Sequence, residues 1–313
     1  NSTFELITKI DIDYNPTAAE INDNTAVIGS ANENNSTSAV YVYEKDQNGT
    51  WNQSMRIVPS GIGQAAGFGH SVAIDGGVIV SGAINDGVER QGSAYVYRRN
   101  GTTWTEEAKL TLPDDSDAER FGNSVFVKGN TIVVGDVYYG YNSKGAVFIY
   151  EYDSLSNSWN QVGSTLMNDD CGGLFGRSVG LTHDTELLVS CGHWGSVVGK
   201  VYYYEKQGTG GTYALQQRIG FDNGVRPIAV DGNDMVVSEY REDKSNVIHF
   251  FLRKNHVWEE INRIDDPGLA EYFGRQVALF GNTTLIASGR NVYPLEDYFS
   301  SSSPNHTTPI PIP

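Results

Sequence analysis

The feature that most constrains this chain is an internal repeat. The segment FGHSVAIDGGVIVSGAINDGVERQGSAYVYRRNGTTWTEEAKL, from Phe68 to Leu110, returns in altered form from Phe121 to Leu166 and from Phe175 to Ile219. A weaker copy spans Phe221 to Ile264, and another opens at Phe273 with FGRQVALFGNTTLIASG. Glu20 to Ser30 matches the same centre but has lost the opening Phe-Gly. The copies start 46 to 54 residues apart. That length holds four strands of about five or six residues with their turns, the size of one β-propeller blade.

Within a copy the columns are regular. Small apolar residues (Ser71, Val72, Ala73, Ile74) lead to a Gly/Asn/Asp turn and then Val78 to Val80, ending on Gly82-Ala83. Alternating aromatics follow: Tyr41 and Tyr43, Tyr95 and Tyr97, Phe148 and Tyr150, Tyr202 and Tyr204, His249 and Phe251. A fourth strand opens on Trp51, Trp104, Trp159, Tyr213 or Trp258. Small side chains suit crowded strands near an axis, and Tyr and Trp suit outer strands with room between blades. Alternation with period 2 dominates, so a helical reading fails.

The last copy lacks a fourth strand. Phe4 to Ile10 aligns position for position with Trp104 to Leu110. The expected fold is therefore an all-β propeller of four-stranded blades over residues 1–299, six blades by count, closed by the N-terminal strand 4–10. Closure of this kind protects an exposed sheet edge. Residues 300–313, rich in Ser, Thr and Pro, read as a tail or linker.

These columns resemble the FG-GAP repeat family, whose repeats also build the integrin α-subunit propeller. Phe68-Gly69, Phe121-Gly122, Phe175-Gly176 and Phe273-Gly274 hold the FG position. Gly82-Ala83 holds the GA position, with Gly29-Ser30 and Gly135-Asp136 as degenerate versions. The resemblance covers about residues 4 to 290. It implies an extracellular adhesion or recognition module, usually without catalysis; the family's best-known members have seven blades, so seven is possible beside the six counted. Integrin-like repeats often carry a calcium loop between strands 1 and 2. Here those turns are Asp75-Gly76-Gly77, Lys128-Gly129-Asn130, His183-Asp184 and Gly281-Asn282, too short for a cage of six or more oxygens. No cofactor is expected, and calcium only at Asp11, Asp13 and Asn15, which resemble half a loop with Pro16 in place of Gly.

The net charge of −16 repels phosphate backbones and anionic lipid, so neither nucleic acid nor a membrane is the expected partner. No stretch approaches the roughly 20 apolar residues of a spanning helix. Glycosylation acceptors stand at Asn1, Asn34, Asn35, Asn48, Asn52, Asn100, Asn282 and Asn305. The two cysteines, Cys171 and Cys191, are brought together by the repeat register, and a disulfide is expected. These features, with a start at Asn1 that suits a processed chain, point to a secreted or cell-surface protein.

In a four-stranded blade the 1-2 and 3-4 turns share one face. Asn48, Asn100 and Asn282 put glycans there. The opposite face gathers acids: Asp114, Asp115, Asp117, Asp169, Asp170, Asp265 and Asp266 in 4-1 connections, with Glu33, Asp86, Glu89 and Asp136 in 2-3 connections. His193 and Trp194 follow Cys191 there and could line a pocket. This face is the candidate binding surface for an extracellular protein, a glycan or further copies of the chain. Gly176-Arg177-Ser178-Val179-Gly180 matches the G-x-S-x-G nucleophile elbow, but an elbow needs a strand-to-helix turn and this segment opens a repeat strand. None of the six His has metalloprotease spacing. The expected function is a non-catalytic binding or structural module. The alternatives are a subunit of an extracellular glycoprotein filament and a propeller-type carbohydrate-active enzyme.

Overall fold

The structure, a computed structural model, describes residues 16–33, 37–63, 65–113, 118–182, 185–192, 198–208, 211–241, 246–266, 273–281, 283–288 and 291–296. The expected closing strand 4–10, the half-loop Asp11, Asp13 and Asn15, and the tail lie outside these residues. So do Asn1, Asn34, Asn35, Asn282, Asn305, Asp114, Asp115, Asp117, His193 and Trp194. The chain is all-β, built of successive antiparallel sheets, and divides into two compact units: residues 1–169 with 173–179 and 208–212, and residues 170–172, 180–207 and 213–313.

The first unit holds three four-stranded meanders, each with its strands in chain order. The first comprises β1 (Ala18–Asn22), β2 (Thr25–Glu33), β3 (Thr37–Lys45) and β4 (Trp51–Ile57). The second comprises β5 (Phe68–Asp75), β6 (Val78–Ala83), β7 (Ser93–Asn100) and β8 (Thr103–Leu110). The third comprises β9 (Ser124–Lys128), β10 (Thr131–Asp136), β11 (Ala146–Asp153) and β12 (Ser158–Gln161). The second strands β6 and β10 are buried on both faces, which is why VIVSGA and TIVVGD read as continuous runs rather than alternations. Fourth strands are half-exposed, and β8 buries little beyond Trp104 and Leu110. Adjacent sheets share their cores: Val80, Val96 and Leu110 of the second pack with Phe121, Ile132 and Phe148 of the third.

The FG motif has a steric cause. Phe68, Phe121 and Phe175 are fully buried, and Phe68 meets Tyr95 and Tyr97 edge-on at 5.6 and 6.2 Å. The following glycine lies against the strand-2 glycine of the preceding sheet. Gly29 faces Gly69, Gly82 faces Gly122, and Gly135 faces Gly176. A Cβ on Gly82 would overlap the carbonyl oxygen of Gly122, so both columns exclude side chains. The serine column completes the contact: Ser71 donates to Gly122 O at 2.8 Å and Ser124 to Gly176 O at 2.7 Å. In the first copy Thr17 supplies the same bond to Gly69 O at 2.6 Å.

The 1-2 turns interlock too. The last residue of a first strand accepts the backbone amide of the next sheet's turn: Asn22 from Gly76 at 3.1 Å and Asp75 from Gly129 at 2.7 Å. The second unit repeats the bond, from Gly281 to Asp231 at 2.8 Å.

Most of the fourth sheet belongs to the second unit; it comprises β13 (Ser178–Leu181), β14 (Glu186–Cys191), β15 (Gly199–Gln207) and β16 (Thr212–Phe221). The fifth comprises β17 (Gly224–Asp231), β18 (Asp234–Tyr240), β19 (Val247–Lys254) and β20 (Val257–Asp265). The sixth has three described strands, β21 (Val277–Phe280), β22 (Thr283–Ser288) and β23 (Asn291–Glu296). Phe221 differs from the sequence expectation. It ends β16 rather than opening a new copy, because Asp222 stands where the other copies have a glycine with φ of 71 to 91°. Its ring still meets His249 and Phe251, as Phe68 meets its tyrosines.

Candidate functional site

The 2-3 and 4-1 connections of the first unit form the most developed surface. Residues 84–92 join β6 to β7, and residues 137–145 join β10 to β11. The 4-1 connections knit onto them: Phe121 N donates to Gln91 O at 2.8 Å, Leu174 N to Ser143 O at 3.0 Å, and Phe175 N to Lys144 O at 2.9 Å. Each 2-3 connection carries two adjacent non-glycine residues at positive φ, Glu89 and Arg90 (53° and 62°) and Asn142 and Ser143 (61° and 53°). Such backbone costs roughly 1–2 kcal/mol per residue and is concentrated at functional sites. The second of these loops holds Tyr141 83% exposed. Met167, also exposed, sits beside Gly140 at the base of the same loop.

Bases lie near Tyr138, in the same connection as Tyr141. Arg120 stacks over the ring of Tyr138 with its guanidinium carbon 4.9 Å from the centroid. Arg177 is half-buried near the same tyrosine; burial lowers its pKa, and the Tyr138 hydroxyl works the other way. His70, at an irregularity in β5 between Phe68 and Ser71, has its pKa lowered by burial and by the charge of Arg120. His70 and Arg177 hold the same repeat position, the residue after Phe-Gly.

The acids of the 2-3 connections point inward. Asp136 is fully buried and accepts the backbone amides of Tyr138 (3.0 Å), Glu119 (3.2 Å) and Arg120 (3.3 Å). Burial still pushes its carboxyl up to about 6 against these bonds. Asp86 is buried between the Tyr95 hydroxyl (2.7 Å) and Lys109 (2.8 Å). These two carboxylates organise the loops and add nothing to an acidic surface.

Of the described 4-1 acids, Asp169 is exposed and pairs with Lys144 at 2.5 Å, in the first unit. In the second unit Asp170 accepts from the Tyr202 hydroxyl and pairs with Arg218 at 3.2 Å. Asp265 pairs with Arg241 at 3.5 Å, and Asp266 gives its backbone amide to Asn246. Asp169, Asp170 and Asp265 thus sit in separate ion pairs. Cys171 and Cys191 are joined by a disulfide with Cα atoms 6.0 Å apart. Asn48 and Asn100 are exposed at 3-4 turns, and Asn52 is exposed on β4 with its amide donating to Asp46 and to Thr50 O.

Two residues have roles that sequence reasoning missed. His249 of β19 is held between carboxylates, Nε2 to Glu239 at 3.1 Å and Nδ1 to Glu260 at 3.0 Å. Glu239 is buried and accepts the backbone and side-chain amides of Asn223, both at 2.9 Å. The His249 hydrogen bond holds the Glu239 carboxyl down to about 2, and the two carboxylates raise the His249 pKa although burial opposes them. The signal was in the sequence: a histidine in the aromatic column coincides with Glu239 in the glycine column.

Glu186, Glu205 and His256 present ligand atoms within 4.8 Å of one another, a set suited by type to a divalent cation. Arg253 already forms a two-pronged ion pair with Glu186 and lies 3.2 Å from His256 Nδ1, so a guanidinium fills the cationic position. Arg99 takes the matching place in the first unit, 3.1 Å from Glu44, beside a shallow cleft of about 460 Å3 that Thr25 and Gly77 also line. In the described 1-2 turns, Asp75 and Asp231 accept the amides of the following turns. Ser178 of the G-x-S-x-G match lies in strand β13, and the next described element is strand β14.

The chain carries FG-GAP repeats: the family model described as FG-GAP repeat matches residues 51–97 and 104–150. Each stretch opens at the fourth-strand Trp and ends on the third-strand aromatics of the next sheet, so the family's frame is offset by one strand from the sheets. Among solved structures, the chain is similar to a protein from Bacteroides uniformis provisionally named a 6-phosphogluconolactonase. The two are 15% identical with a TM-score of 0.63, over 88% of this chain and 78% of that one. A protein of the same provisional name from Bacteroides fragilis is 11% identical with a TM-score of 0.61, over 89% and 79%. At such identity the likeness is one of fold. Comparison with curated proteins finds no match.

Proposed function

We propose that this chain is a non-catalytic, extracellular binding module that captures a protein or glycan through the loop surface around Tyr141. The observation that carries this reading is Tyr141 itself, a large aromatic left in water at the tip of a loop held in costly backbone conformations. Exposed aromatics are typical of recognition surfaces. The disulfide and the exposed acceptors Asn48, Asn52 and Asn100 support a secreted location. No described helix is long and apolar enough to cross a membrane. The fold of the module is a six-bladed propeller closed by residues 4–10. Five four-stranded sheets and a sixth of three described strands, together with the alignment of Phe4 to Ile10, support this.

The test uses the purified glycosylated chain on arrays of glycans and matrix proteins, beside a hydrolysis screen of glycosides and sugar lactones. Capture by the wild type, lost in Tyr141→Ser without a change in melting temperature, is the expected result. Turnover abolished by His70→Asn would replace this reading with a second one, an enzyme of anionic sugars. That reading draws on the neutral-leaning imidazole of His70 beside Arg120 and on the names of the similar structures. A filament subunit, the third reading, would appear as ordered polymers in electron micrographs of native material.

A further inference from the structure

Arg99 and Arg253 hold the same repeat position, and each grips the sheet before its own, but the two are not equally satisfied. Arg253 meets two acids that face each other in register on β14 and β15, Glu186 and Glu205. Arg99 meets one, because Thr25 stands on β2 where Glu186 stands on β14. Its bonds to Glu44 (3.1 Å), Thr25 Oγ1 (3.4 Å) and Gly101 O (3.2 Å) use three of its five N–H donors among the described residues. The side chain is held in place all the same. Its guanidinium carbon lies 5.7 Å from the centre of the Trp104 ring, and its backbone amide donates to Gly77 O at 2.8 Å.

Arg99 lines the cleft of about 460 Å3 between the first and second sheets, a volume within the range of small-ligand sites. The other lining residues are polar or glycine. Asp23 and Glu44 balance Lys45 and Arg99, so the cleft has no net charge with which to attract an ion. Asn22, fixed by the Gly76 amide at 3.1 Å, and Asn24 add neutral amide groups. We propose that this cleft binds a neutral saccharide. Sugar hydroxyls both donate and accept, and a carboxylate beside a guanidinium offers an acceptor and a fork of donors to one pair of adjacent hydroxyls. An ion of either sign meets its own charge among the lining side chains. The site belongs to the 1-2 and 3-4 turns, at the other end of the sheets from the Tyr141 loop, and does not rest on that loop's role. Two sources of sugar fit the chemistry, a saccharide from outside and the chain's own glycan. Asn52, an acceptor, stands directly opposite Glu44 across β3 and β4, so a glycan there starts on the face that Glu44 occupies.

The experiment is calorimetric titration of the glycosylated full chain, and of its Asn52→Gln variant, with the neutral probes diacetylchitobiose, mannobiose and lactose. The expected result is saturable binding of at least one probe at about 1 mM. Arg99→Lys, which keeps the charge and loses the fork, should weaken it about tenfold. Glu44→Gln, which keeps the shape and loses the charge, should do the same, and it reports on binding even if Arg99→Lys loosens the sheets. Tyr141→Ser should leave the titration unchanged. Binding by the wild type identifies an external saccharide as the occupant. Binding that emerges only in Asn52→Gln identifies the chain's own glycan, which then fills the cleft of the wild type. Absence of binding in both chains overturns the proposal, as does binding indifferent to both Arg99→Lys and Glu44→Gln. Tighter binding of sialyllactose than of lactose also overturns it, because the cleft then selects an anion. A sugar held at about 1 mM is lost on washing, so capture on the arrays still reports the Tyr141 surface, and that reading stands or falls separately.

Discussion

The second and fifth sheets solve the same packing problem in opposite ways. At Gly82 the second sheet removes the side chain altogether, so that the Gly122 backbone of the next sheet can lie against it. At the matching position the fifth sheet carries Glu239, which accepts two bonds from Asn223 and binds His249. The fourth sheet uses a third solution, Cys191, bridged to Cys171. Where the FG glycine is missing, as at Asp222, its glycine partner in the preceding sheet is missing too. After Glu239 the FG glycine is kept, as Gly274, so the strand-2 partner of the backbone contact can be lost alone. Polar or covalent ties then hold the connection from the side.

Four measurements would break or sharpen this contrast. Gly82→Ala should be the most damaging, costing about 4 kcal/mol or preventing folding, since the obstructing atom is backbone and cannot rotate away. Chemical denaturation reads the loss. Reduction of Cys171–Cys191, or Cys191→Ser, should cost roughly 3 kcal/mol for a span of 20 residues, read as a lower denaturation midpoint in the presence of reductant.

The Glu239–His249 pair should be worth about 2 kcal/mol and depend on pH. The Glu239 pKa is depressed on folding, so its contribution is full above 4.5 and fades as pH falls towards about 2. The His249 pKa is raised, so its contribution is full below 6.5 and is lost as pH rises through the folded value. Melting temperatures of wild type and His249→Phe should therefore differ most between about pH 4.5 and 6.5. A constant difference across pH would mean that the histidine acts through packing alone. Smallest of all, Ser71→Ala should cost about 1 kcal/mol, the worth of its bond to Gly122 O. The same change at Ser178, where no FG glycine follows, tests whether the serine column matters without its partner.

Much of the sheet architecture was legible before any coordinates, because turn glycines, alternating aromatics and fourth-strand tryptophans recur with one period. Trp51, Trp104, Trp159 and Trp258 all stand at or next to the start of a fourth strand. The break at Phe221 was not read, since the aromatic column survives there while the glycine beside it does not. The candidate site was largely hidden. Arg120, Tyr138 and Tyr141 lie in connections, where spacing varies and no period marks a residue. Arg177 was noticed only as part of a motif to be rejected. Counting charges misled in a definite way, because Asp86 and Asp136 contribute to a sum that says nothing about which carboxylates reach water.

The Gly129 amide donates to Asp75 of the copy before it, as the Gly76 amide does to Asn22 and the Gly281 amide to Asp231. Each turn amide is therefore a gauge of the copy before it. Exchange of the Gly129 amide with deuterium will quicken when the second sheet loosens, even while the third stays intact, and disorder begun in one copy will be reported first by its downstream neighbour.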